Sequence, residues 1–172
     1  MSVKYKAVFF DRDGTINVKL PEDRYVTSWE EFEFLPDVFD VLRTIKLRGY
    51  LTILATNQRG IGRKLMTEQQ LEEIHRRMQN TLALNECPFD LILYCPHDIK
   101  DNCSCRKPKP GLLIRAEKYY PIARERSYMV GDSASDIEAG RLYGVHTIRV
   151  GTWDGAADYS VMKLKDILKI II

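Results

Sequence analysis

No stretch of this chain approaches the roughly 18 to 20 consecutive apolar residues of a membrane span, so a transmembrane helix is excluded as its working part. A formal net charge of only +2 is too small to hold it on nucleic acid or an acidic lipid surface by general attraction. The aromatic-basic stripe of a nucleic-acid module is missing, as are repeats, low-complexity tracts and linkers. The first six residues run straight into an apolar segment and leave no room for a signal peptide, so the expected compartment is the cytoplasm. Cysteine is scarce. In a reducing compartment the four present (Cys87, Cys95, Cys103 and Cys105) read as metal ligands, core residues or reactive thiols before disulfides. What remains, 45% hydrophobic and 29% charged over 172 residues, is expected to form one domain spanning 1–172, a monomer with a full core.

Apolar runs alternate with helical patterns from end to end. Strands are expected at 5–10, 50–55, 89–94, 127–130 and 145–150. Between them, Pro36 opens a helix with Val38, Val41, Leu42 and Ile45 on one face. Thr67 and Gln70 form a capping-box signature ahead of a helix carrying Leu71, Ile74, Met78 and Leu82. Further helices are expected at 111–120 and 135–143, with a short one within 161–172. Strand, helix, strand, helix in this order argues for α/β architecture: a three-layer, Rossmann-like parallel sheet with helices on both faces. Such sheets bind ligands beyond the carboxyl ends of their strands. The segments there are Asp11-Arg12-Asp13, Thr56-Asn57-Gln58, Cys95-Pro96-His97 and Gly131-Asp132.

Asp13-Gly14 by itself signals a turn, and a calcium loop fails because its glycine belongs at position 6, not position 4. Counting the other strand ends changes the balance. A nucleophilic carboxylate, a metal-binding carboxylate, the Thr56 hydroxyl and the Lys107 ammonium are the parts that move a phosphoryl group. Magnesium suits this oxygen-rich set. Separately, Cys95, His97, Cys103 and Cys105 place four ligands within eleven residues. Cys3His with no open position is a structural zinc set, and its expected task is to pin the loop carrying Arg106, Lys107, Pro108 and Lys109. Cys87 reads as core, His75 as part of a solvated helix face and His146 as structural.

Asp11-Arg-Asp-Gly-Thr15, Thr56-Asn57, Lys107 and Gly131-Asp132-Ser-Ala-Ser-Asp136 resemble the four ordered motifs of the haloacid dehalogenase superfamily, over residues 5 to about 150. The resemblance implies a phosphomonoester hydrolase in which Asp11 becomes an aspartyl-phosphate and Asp13 is the general acid and base. It further implies that Thr56 and Lys107 stabilise the transferring group. Magnesium would be held by Asp11, the backbone carbonyl of Asp13 and Asp132. Asp136 is expected in a structural role. Cys-Pro-His followed by Cys-x-Cys-Arg-Lys-Pro resembles the small, capless, zinc-loop branch, and 15–56 leaves no room for a large cap. Short loops at 17–28, 58–65 and 98–110 would close the site instead.

That branch contains heptose-1,7-bisphosphate 7-phosphatases and histidinol-phosphate phosphatases. Arg59, Arg63, Lys64, Arg106 and Lys109 on the rim loops favour a sugar bisphosphate, whose second phosphate needs cations of its own. Asn57, Gln58, Arg59 and Arg106 are the expected substrate contacts. The five-residue spacing between His97 and Cys103 resembles the histidinol enzymes, which stay open as the alternative. A phospho-accepting signalling domain is the alternative of another class. Asp13 argues against it, because an acid/base beside the nucleophile would hydrolyse the mark. The expected partner is therefore a small phosphorylated metabolite, with neither nucleic acid nor membrane.

Overall fold

Ala7-Val8-Phe9-Phe10 forms β1 (Ala7–Phe10), and all four side chains are fully buried because both faces of the strand are covered. The structure, a computed structural model, describes residues 4–152 and 155–172. The chain continues through α1 (Val38–Leu47), β2 (Leu51–Asn57), the short α2 (Arg59–Gly62), α3 (Glu68–Leu84) and β3 (Leu91–Cys95). There follow α4 (Gly111–Ala116), β4 (Tyr128–Gly131), α5 (Ala134–Tyr143), β5 (His146–Val150) and β6 (Tyr159–Val161). The strands pair in parallel as one 6-stranded sheet, in the order β3-β2-β1-β4-β5-β6.

Alternation along β1 divides the core in two. Val8 and Phe10 pack with Leu54, the apolar stripes of α1 and α3, and the 3-10 helix Leu164–Lys169. Ala7 and Phe9 face the other way, onto Leu112, Leu113 and Ala116 of α4 and Tyr143 of α5. Each large apolar side chain buried this way contributes about 1.5–3 kcal/mol. The predicted capping box starts α3: Gln70 N–H donates to Thr67 Oγ1 at 3.2 Å, and Thr67 N–H to Gln70 Oε1 at 2.8 Å.

Strand order runs outward from β1 through β2 to β3 on one side and from β4 to β6 on the other. The reversal between β1 and β4 brings the ends carrying Asp11 and Asp132 side by side. The expected helix at 111–120 stops at Ala116, where N–H groups of the next residues bond in single turns, Tyr119 N–H to Ala116 O for example. The tail carries a strand that its sequence pattern does not reveal. β6 is three residues long and mostly exposed, and Gly151 N–H donates to Val161 O at 2.8 Å to extend its pairing. The helix expected within 161–172 is confined to the 3-10 segment.

Candidate active site

Asp11 leaves β1 with its N–H bonded to Val130 O at 3.0 Å, which fixes its backbone against β4. Its side chain meets a deeply buried cation. Lys107 Nζ donates to Asp11 Oδ1 (2.7 Å) and Ala55 O (2.7 Å), and forms an ion pair with Asp136 Oδ1 (2.6 Å). Asn57 holds the lysine's backbone from both sides: Lys107 N–H donates to Asn57 Oδ1 at 3.1 Å, and Asn57 Nδ2 to Lys107 O at 3.0 Å. Burial would lower the Lys107 pKa, but Asp11 and Asp136 outweigh it and keep the ammonium charged. Burial, then the Asp136 charge, push Asp11 up to about 7 against the opposing pull of Lys107.

Asp136 opens α5 in a capping box, its Oδ2 accepting from Ser133 N–H (3.1 Å) and Ser133 Oγ (2.7 Å). It thus ties a helix end to the lysine, which accounts for its burial. Asp11, Asp132 and Asp136 each bring one carboxylate oxygen within 4.8 Å of the others. Asp132 Oδ1 is buried there without a hydrogen-bond partner. An orphaned carboxylate oxygen among three acids fits a hard, oxygen-preferring divalent cation such as magnesium. Gly14 makes room for this arrangement. Its φ is +92°, and a Cβ would meet Asp132 Oδ2 at 2.5 Å.

Asp13 faces a different set of partners. Its Oδ1 accepts from Arg12 Nη2 (2.8 Å) and Asn17 Nδ2 (3.0 Å), and its Oδ2 from Arg12 Nη2 (3.0 Å) and Gln58 Nε2 (3.0 Å). Burial would raise its pKa, but the Arg12 charge and these hydrogen bonds hold it below the usual carboxylate value. Gln58, expected to touch substrate, is 1% exposed and also donates to Thr56 Oγ1 at 2.9 Å. It is a strut between the second strand end and Asp13. The Thr56 side chain is likewise fully buried behind the cleft.

A cleft of about 650 Å³ opens above these groups, lined by Asp11, Asp13, Asn57, Lys107, Asp132 and, from the rim, Lys19 to Val26, Arg59 and Arg106. Arg59 is tied to Asp98 of the cysteine loop, and Arg63, away from the cleft, to Asp23. Lys109 turns back onto Asn102 and Cys103 carbonyls and leaves the rim. Among the described residues Arg106 has no carboxylate partner. Its Nη1 donates to His97 O at 3.4 Å. Lys19, absent from the sequence-based expectations, reaches Asp132 Oδ2 at 2.7 Å from a position six residues beyond Asp13. His75 also departs from expectation: it is 6% exposed, with Arg12 Nη1 donating to its Nε2 at 3.3 Å.

The cysteine loop gathers beside this cleft. Cys95 Sγ lies 3.6 Å from Cys103 Sγ and 3.2 Å from Cys105 Sγ, and the latter two are 3.5 Å apart. His97 Nδ1 stands 3.5 Å from Cys95 Sγ and 3.3 Å from Cys105 Sγ. A tetrahedron with Zn–S bonds near 2.3 Å has edges of about 3.8 Å, so the four donors are spaced to fit one zinc ion after small outward shifts. Gly62 and Gly111 let the loop backbone approach closely; a Cβ on either would clash with it, at Asp98 N and Ser104 O respectively.

A family model described as HAD-hydrolase-like matches residues 104–160. The D-glycero-beta-D-manno-heptose-1,7-bisphosphate 7-phosphatase of Escherichia coli K12 is 37% identical over 186 residues, covering 99% of this chain and 96% of the relative. The Helicobacter pylori J99 protein of the same name is 45% identical over 138 residues, 78% of this chain and 76% of the relative. Among solved structures, the D,D-heptose 1,7-bisphosphate phosphatase from B. bronchiseptica, complexed with magnesium and phosphate, superposes with a TM-score of 0.87. It is 28% identical, with 96% of this chain and 97% of that one covered.

Proposed function

The chain belongs to the haloacid dehalogenase superfamily and is a phosphatase, and from that premise we propose that it removes the 7-phosphate of D-glycero-D-manno-heptose 1,7-bisphosphate. The observation that carries the substrate is Arg106. It is a cation on the same cleft as Asp11, free of any carboxylate among the described residues, and available to a second phosphate group. Similarity to relatives of that activity over nearly the whole chain supports the same reading.

In this reading an Asp11 carboxylate oxygen bonds to phosphorus as the bond from phosphorus to the C7 oxygen breaks. The Asp13 carboxyl gives its proton to the departing C7 oxygen. Water then attacks phosphorus and passes a proton to Asp13, the Asp11–phosphorus bond breaks, and both aspartates return to their first state. Asp13 is ionised at rest; an incoming phosphate dianion beside it would raise its pKa and so load it with the proton it donates. Lys107 offsets negative charge on the phosphoryl oxygens, and Asn57 keeps its backbone in place. Magnesium held by Asp11, the Asp13 carbonyl and Asp132 would supply further neutralisation of that charge. Zinc held by Cys95, His97, Cys103 and Cys105 would fix the loop that delivers Arg106 and Lys107.

The test is phosphate release with magnesium, comparing kcat/KM for both anomers of the heptose bisphosphate with histidinol phosphate. A strong preference for the heptose is expected. Preference for histidinol phosphate would transfer the specificity to the acid Glu22, which lines the same cleft and could meet a cationic substrate.

A further inference from the structure

Arg12 lies between the two aspartates in sequence, yet its side chain is completely buried. A guanidinium only donates hydrogen bonds, and each donor removed from water without an acceptor is costly; Nε is left without one. Nη2 finds both oxygens of Asp13. Nη1 finds the ring of His75, halfway along α3 and outside every motif so far assigned a role. The Phe32 ring, 6.0 Å from the guanidinium carbon, closes another side. Because Nη1 is the donor, His75 Nε2 carries the lone pair, and the ring is the neutral tautomer with its proton on Nδ1. The imidazole and the Tyr94 ring of β3 pack edge to face, with centroids 6.0 Å apart at 61°.

The choice of residue at 75 follows from charge. A carboxylate there would compete with Asp13 for the one cation, and an apolar side chain would leave Nη1 unpaired. A neutral acceptor satisfies Nη1 and leaves the charge of Arg12 directed at Asp13. We infer that His75 is a positioning residue for the acid–base carboxylate of Asp13, acting through the buried Arg12 guanidinium. This rests on the role given above to Asp13. A carboxylate held by Arg12, Asn17 and Gln58 has a defined direction, and tilting Arg12 would turn the proton donor away from the leaving oxygen.

Leaving-group chemistry distinguishes this from a loss of fold. A sugar alkoxide needs a proton as it departs, whereas 4-nitrophenolate departs without one, and kcat/KM reports only steps through the first bond cleavage. His75→Asn keeps a polar side chain but brings its acceptor only to the level of Nδ1, short of Arg12. His75→Gln reaches the level of Nε2. The expected result is a kcat/KM loss of about 10-fold for the heptose bisphosphate and less than about 2-fold for 4-nitrophenyl phosphate in His75→Asn, with most of the loss recovered in His75→Gln. Asp13→Asn is the reference and should show the same substrate dependence, more steeply. Equal losses on both substrates in His75→Asn, or no recovery in His75→Gln, overturn the inference while leaving Asp13 its role. A flat substrate dependence in Asp13→Asn itself would overturn that role, and the inference with it.

Discussion

His75 is held neutral to unusually low pH: burial, then the Arg12 charge, lower its pKa from 6.5 to about 3. In the unfolded chain it would take a proton near its ordinary value. Between those values the unfolded state binds more protons, so this group's contribution to stability is lost as pH falls from about 6.5 towards 3. Urea unfolding of His75→Gln should therefore show a flatter loss of stability through that window than the parent; parallel curves would mean that His75 titrates normally in the folded protein. Asp11 works in the opposite direction. Its pKa is raised from 3.8 to about 7, so without a cation its contribution declines as pH rises across that interval. The acids Asp11, Asp13 and Asp132 were legible because strand ends in a parallel sheet announce themselves by an apolar run that stops at a polar residue. Arg12, His75 and Lys19 gave no such signal. A histidine among Arg and Glu reads as solvent-facing until the packing of α3 on the sheet is known, and a lysine in a loop has no periodicity to place it.

At the scale of elements, the proposed zinc would give the cysteine loop a restraint beyond the chain's own hydrogen bonds. Its four ligand atoms converge from the end of β3 and the turn before α4, and it touches the cleft through Asp98 on Arg59 and the His97 carbonyl on Arg106. Cys103→Ser should bring zinc content well below one ion per chain and lower the thermal midpoint by about 5–10 °C, the shift for a loss of roughly 2–3 kcal/mol in a domain of this size. Metal analysis beside a melting curve checks it, and an unaltered zinc content would reject the ligand set. The loop was legible because ligand spacing is a local property of sequence. So were the buried strands and the helix opened by Thr67, where the cap and the apolar stripe agree. β6 was not: three mostly exposed residues carry almost no periodicity, and what makes them a strand is the free edge of β5 beside them. The early end of α4 escaped notice for a related reason, since its apolar pattern continues past the last helical residue.

For the molecule as a whole, strand order is what converts scattered motifs into a site. Pattern alone predicted a parallel sheet but not that β1 lies between β2 and β4. Only that neighbourhood sets Asp11 against Lys107 on one side and Asp132 on the other. The two faces of the sheet bear the core, and the reversal at β1/β4 leaves a cleft with Asp11, the Lys107 ammonium and the carboxylate cluster at its base. The central claim is that the phosphoryl group passes through Asp11. The most direct measurement mixes enzyme rapidly with magnesium and the heptose bisphosphate, quenches in acid, reduces with borohydride and locates the product by peptide mass spectrometry. The account predicts Asp11 converted to homoserine, only with substrate and magnesium present, and turnover lowered on the order of 10³-fold or more in Asp11→Asn. Reduction at a different carboxylate, or an Asp11→Asn protein turning over within about tenfold of the parent, would contradict it.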